Sequence, residues 1–165
     1  MKSNLLMDFS VDKKNNRINV KREFEAPVSK VWSAWTESEL LDRWWAPRPW
    51  KARTKTMDFR EGGHWLYAMI GPEGEEHWSR ADYKSVAPLQ SFSARDAFCD
   101  EEGKINTEFP RSEWKVNFKE TGRSTTVKVE LTFDTLADLE KNMEMGFKEG
   151  FTAAFENLDE LFKKR

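Results

Sequence analysis

The chain has 165 residues, 34% of them charged and 38% hydrophobic, and a formal net charge of −2. That length suits one domain with its own core over residues 1–165, and the near-neutral charge excludes a global field for nucleic acid or an anionic membrane surface. Cys99 is the only cysteine, which rules out an intramolecular disulfide and a cysteine-based metal cage.

The apolar run within Met1–Asp8 is too short for a secretory leader, and no stretch reaches membrane-spanning length, so a cytoplasmic location is expected without membrane insertion. Phe9 and Val11, then Ile18, Val20, Arg22 and Phe24, alternate around a polar Asp12–Asn16 stretch and predict a hairpin. Pro27 suits a helix start, and Val28, Val31, Trp32 and Trp35 follow at helical spacing. A second short helix runs from Glu39 to Trp45 and stops at Pro47 and Pro49. Strands are predicted for residues 55–60, 64–70, 77–86, 90–99, 113–119 and 125–133, with turns at Gly62-Gly63 and Gly71-Pro72-Glu73-Gly74. The polar loop Asp100–Arg111 is long enough for a lid, although a disordered surface loop is the heavier reading.

Residues 135–163 predict one long amphipathic helix capped by Thr135. Leu136, Leu139, Met143, Phe147, Phe151, Ala154, Leu158 and Phe162 share its apolar face. Gly150 lies within that face and Gly146 at its edge, each at a helix cost of about 1 kcal/mol relative to alanine. Glycine where bulk is expected suggests space left beneath the helix. One helix covers one sheet face, so the antiparallel sheet must curl around it.

His64 and His77 lack a second ligand at metal-binding spacing, no nucleophile elbow occurs, and a strand follows Gly62-Gly63 where a phosphate loop needs a helix. No metal or cofactor is therefore expected. Asp96 is in phase with Phe92 and Phe98, while Arg80 and Asp82 are in phase with Trp78 and Val86. If those aromatic faces point inward, all three charges enter the interior, with Asp96 the weak candidate for a general acid or base; if Ala81 and Tyr83 point inward, the charges meet water. Arg48, Lys51, Arg53 and Lys55 around Trp50 read as a solvated rim in preference to a nucleic-acid grip.

Val31-Trp32-Ser33-Ala34-Trp35-Thr36, Trp44-Trp45-Ala46-Pro47, Asp58-Phe59-Arg60-Glu61-Gly62-Gly63-His64-Trp65 and Ala81-Asp82-Tyr83-Lys84-Ser85-Val86-Ala87-Pro88 stand in order and spacing. From about Phe9 to Leu161 the chain resembles the activator-of-heat-shock-protein-90-ATPase homologue family of the START-like (SRPBCC) superfamily. The departures are mild: Ser38 where proline is frequent and Ala81 where glycine is common. The resemblance implies an α+β helix-grip fold, a curved antiparallel sheet of about six to seven strands around a long C-terminal helix, with an apolar pocket between them. It also implies binding of a hydrophobic or amphipathic small molecule. Trp65, Tyr67, Met69, Phe98, Met143, Phe147 and Phe151 are the expected lining. Gly146 and Gly150 would give space, and Trp44 and Trp45 would close the mouth. An enzyme acting through Asp96 and a protein–protein adaptor are the alternatives. A chaperone partner ranks lower, because the chain has no room for the separate chaperone-engaging domain of the eukaryotic co-chaperone; a homodimer is compatible with every reading.

Overall fold

The computed structural model describes residues 7–163, so Met1–Leu6 of the N-terminal reading lie outside the described residues. The hairpin is present as Met7–Asp12 (β1) and Arg17–Phe24 (β2), joined by a 3-10 turn over Lys13–Asn15. Asp12 accepts from the Asn15 N–H, and Asn16 closes the turn in the left-handed region, which asparagine tolerates. Val28–Thr36 (α1) and Ser38–Trp44 (α2) follow. Lys51–Met57 (β3), His64–Ile70 (β4), Glu76–Ala87 (β5), Ser91–Cys99 (β6), Ser112–Thr121 (β7) and Ser124–Phe133 (β8) complete one antiparallel sheet. Among the described residues its eight strands lie in the order β1-β2-β8-β7-β6-β5-β4-β3, one or two strands beyond the sequence expectation.

β3 begins at Lys51, earlier than predicted, and ends at Met57, so Phe59 lies in the turn that follows. Lys51, Arg53 and Lys55 are exposed along this strand, which is the sheet's outer edge. Charged side chains there discourage pairing with another chain. The basic residues beside Trp50 thus gain an edge-protecting role.

The predicted single helix over residues 135–163 is corrected to two. Leu136–Glu144 (α3) is capped by Thr135, whose hydroxyl accepts from the Asp138 N–H at 3.0 Å. Phe147–Lys163 (α4) follows a break at Gly146, which has φ +88°. Leu139, Met143, Phe147 and Phe151 are each four residues apart, so the apolar repeat runs through the break without registering it. Gly146 is there for its backbone conformation and serves as a helix stop. Gly150, in contrast, sits inside α4.

α4 lies across the inner face of the sheet with Phe151, Ala154, Phe155 and Leu158 buried. The Phe155 ring is 5.3 Å from Phe24, 6.1 Å from Trp35 and 6.3 Å from Trp44, which fills that end of the interior with aromatic surface. Asn157 donates to the Ala46 carbonyl at 3.0 Å, tying α4 to the end of α2. Arg22 of β2 pairs with Asp159 and lies 4.8 Å over the Phe24 ring. Among the described residues, no helix is long and apolar enough to cross a membrane.

The two glycines should respond to alanine with opposite signs. At Gly150 a new methyl would meet nothing nearer than Pro47 Cγ at 3.9 Å, so Gly150→Ala should gain about 0.5–1 kcal/mol. Gly146→Ala places a Cβ on a left-handed backbone and should lose about 1–2 kcal/mol. Urea unfolding checks both, and a shift of both in the same direction would contradict the helix break.

Candidate functional site: a divided pocket between the sheet and α3–α4

Alternation along β4 turns Trp65, Tyr67 and Met69 toward the helices, opposite Ala81, Ser79 and His77 of β5. Ala81 in turn faces Asp96 of β6, so Asp96 joins this inner face. Arg80 and Asp82 are on the outer face, where Arg80 donates to the Gly103 carbonyl at 2.8 Å and to Asp82 at 2.6 Å. The three charges therefore do not travel together. A register shift between Tyr83 and Ser85 explains why Val86 still pairs with inward Phe92 after Tyr83 has paired with Ala94: the bulge changes the phase of β5.

Asp96 stands where β6 and β7 part. Its Oδ1 accepts from the Ser112 N–H at 2.7 Å and the Ser112 hydroxyl at 2.9 Å, and its Oδ2 accepts from Trp114 Nε1 at 2.9 Å. Arg111 Nε donates to the Asp96 carbonyl at 3.0 Å. The side chain continues the strand pairing that the intervening loop interrupts. Burial pushes the Asp96 carboxyl above the usual carboxylate range, against the pull of these donors and of Arg111. Beside it, Trp45 Nε1 donates to the Tyr67 hydroxyl at 2.9 Å, and burial drives the Tyr67 phenol well above its ordinary range.

Trp45, Tyr67, Asp96 and Trp114 border two cavities at once and form the partition between them. The inner one, about 50 Å³, is walled by Trp35, Leu41, Trp65 and Tyr83. The outer one, about 310 Å³, is walled by Met69 and Phe98 of the sheet and by Asn142, Phe147, Gly150 and Phe151 of the helices. Within its wall Phe147 and Phe151 stack at 5.0 Å, and Trp114 lies 5.7 Å from Phe151. The 100–111 loop folds against the sheet and reaches the outer cavity through Pro110. The Asp100 carboxylate accepts from the Glu102 and Lys104 N–H groups at 2.9 Å each, Phe109 packs 5.2 Å from Phe98, and Pro110 reaches the outer cavity. A wider groove of about 660 Å³ on the outside of α2 carries both signs of charge, including Arg43, Arg48 and Glu160, and offers no single ligand chemistry.

Of the residues expected at the site, Trp45, Tyr67, Met69, Phe98, Phe147, Gly150 and Phe151 border the outer cavity, with Gly146 at its edge and Asp96 in its partition. Trp65 borders the inner cavity alone. Trp44 and Met143 border neither. Trp44 is fully buried and donates to the Ala34 carbonyl at 2.8 Å, which removes it from the mouth. Trp45 belongs to the partition and not to a closing rim. Sequence reasoning missed Trp114, Ser79 and Asn142. Trp114 was legible as an inward position of its strand, whereas the inward turn of Asn142 depends on where α3 ends.

The family model described as Activator of Hsp90 ATPase homolog 1-like protein matches residues 25–163. No curated protein matches the chain. A Mycobacterium smegmatis protein of known crystal structure is similar at 28% identity over 98% of each chain, with a TM-score of 0.89. An Arthrobacter aurescens protein solved by NMR is similar at 27% identity over 96% of this chain and 92% of its own, with a TM-score of 0.90. A Staphylococcus epidermidis protein shows 28% identity over 94% of each chain and a TM-score of 0.82.

The raised carboxyl of Asp96 has a signed consequence. The folded state holds this proton to higher pH than the unfolded chain does, so its stabilising contribution is present below about pH 3.9 and is lost as pH rises through the folded-state pKa. Asparagine cannot titrate, and its amide would face the Trp114 indole donor at a cost of about 1–3 kcal/mol. The stability advantage of wild type over Asp96→Asn should therefore narrow as pH rises from about 4, measured by urea unfolding at a series of pH values. An advantage that grows with pH would contradict the assignment.

Proposed function

The chain belongs to the Activator of Hsp90 ATPase homolog 1-like protein family, and from that premise we propose that it binds one small hydrophobic or amphipathic molecule in the outer cavity. The observation that carries this reading is the contrast between the middle of α4 and its N-terminal end. Around Phe155 aromatic rings fill the interior, whereas around Phe147 and Gly150 a cavity of about 310 Å³ remains, with an apolar wall and a few polar groups. That size and lining are typical of small-molecule sites. Scaled from an engineered cavity of about 150 Å³ that accepts benzene, it holds roughly twelve non-hydrogen atoms. Burial of apolar surface supplies about 25 cal/mol per Å² before the costs of association.

Asp96 favours binding over chemistry in this reading. Both of its oxygens accept hydrogen bonds from the protein, so it serves to hold β7 and Trp114 in place. A chaperone partner ranks below a small ligand, since an adaptor needs an apolar face outside and has no use for this cavity.

Gly150→Phe should put a ring into the cavity and abolish uptake of a neutral hydrocarbon such as p-cymene, followed by saturation-transfer NMR. The variant's circular dichroism should stay that of the wild type. Undiminished uptake by a folded Gly150→Phe protein would sink the reading.

A further inference from the structure

Asn142, on the last turn of α3, contributes to the wall of the outer cavity, and its side-chain amide nitrogen is buried with no hydrogen-bond partner among the described residues. Buried donors without partners are rare, because the lost hydration goes uncompensated. The helix does not need an amide here, since leucine would cover the same wall without leaving a donor unpaired. The donor therefore points to an acceptor that enters the cavity from outside.

The charges around the cavity narrow what that acceptor can be. Among the described residues no lysine or arginine borders it; its wall carries the carboxyl of Asp96, which accepts three hydrogen bonds from the protein, and the ring of His77, which is exposed and packs 5.3 Å from the Trp50 ring. A carboxylate entering this space would be desolvated beside Asp96 without a buried cation to pair with, which is costly. An ammonium group would give up its hydration for a largely apolar wall in which three of the acceptor sites of Asp96 are already taken, which does not repay the desolvation of an ion. A neutral oxygen meets neither penalty and satisfies the amide.

We propose that the cavity selects a small neutral molecule with an apolar body and a carbonyl-type oxygen, and that this oxygen accepts a hydrogen bond from the Asn142 side-chain amide. The proposal rests on the cavity being a ligand site, and it adds the class of ligand and the residue that recognises it.

Three probes of one chain length separate the terms: heptyl methyl ketone, its methylidene isostere in which carbon replaces the oxygen, and nonanoate. Each is titrated into the full-length protein and followed by amide chemical shifts. Wild type should bind the ketone about tenfold more tightly than the isostere, the advantage of one satisfied hydrogen bond, and nonanoate more weakly than the ketone. Asn142→Leu should erase the ketone's advantage while binding the isostere at least as well as wild type, and it should melt no lower. Should Asn142→Leu fail to fold, Asn142→Met, which also removes the donor, should show the same loss of preference. A ketone preference that survives these substitutions overturns the proposal, as does nonanoate binding as tightly as the ketone. If the isostere binds and the ketone binds no better, the Asn142 role falls while the cavity reading stands. If wild type takes up none of the three, both fall.

Discussion

The seat of α4 on the curved sheet determines what the rest of the molecule can do. Midway along it Phe155 is wedged among Phe24, Trp35 and Trp44, and Asn157 anchors the helix to the end of α2. These contacts hold the helix axis at a distance from the sheet set by aromatic rings. Toward its N-terminus the helix offers Gly150, and the chain then turns away at Gly146. The separation imposed at the packed middle therefore persists toward the N-terminus, where there is less side chain to fill it. The cavity follows from one well-packed contact and one missing side chain, with no strain required elsewhere.

The partition between the two cavities shows how the floor of this space is held. Trp114 is positioned by Asp96, and Trp45 by Tyr67, so each indole has a directional bond besides its packing. The rings lie 5.8 Å apart. A wall of aliphatic side chains would relax into an adjoining void more readily than indoles fixed at their nitrogen atoms. Asp96 also compensates for the divergence of β6 and β7, which makes room for the 100–111 loop to form another part of the wall. A buried carboxylate, a loop and a cavity wall are thus parts of one arrangement.

Much of this was legible in the chain. The alternation of Trp65, Tyr67 and Met69 located the inner face of β4, the proline pair ended the second helix, and the order of elements implied a sheet wrapped on a terminal helix. Three features were hidden for identifiable reasons. The bulge in β5 changed the inward phase between Tyr83 and Val86, which strict alternation cannot reveal. The break at Gly146 was masked because the spacing of Met143, Phe147 and Phe151 continues across it. The glycine itself was the signal, but its role is a positive φ and not space. The partners of Asp96 come from Ser112 and Trp114, across the loop, and only tertiary structure unites them.

Methionine methyl groups give the most direct test of a ligand held between sheet and helices. Met69 and Met145 border the outer cavity on its sheet and helix sides, whereas Met7 and Met57 do not border it. With the methionine methyls labelled with carbon-13 and p-cymene added, intermolecular NOEs should reach both Met69 and Met145 and neither Met7 nor Met57. NOEs confined to Met7 or Met57, or none to any methionine from a saturably bound probe, would contradict a cavity-bound ligand.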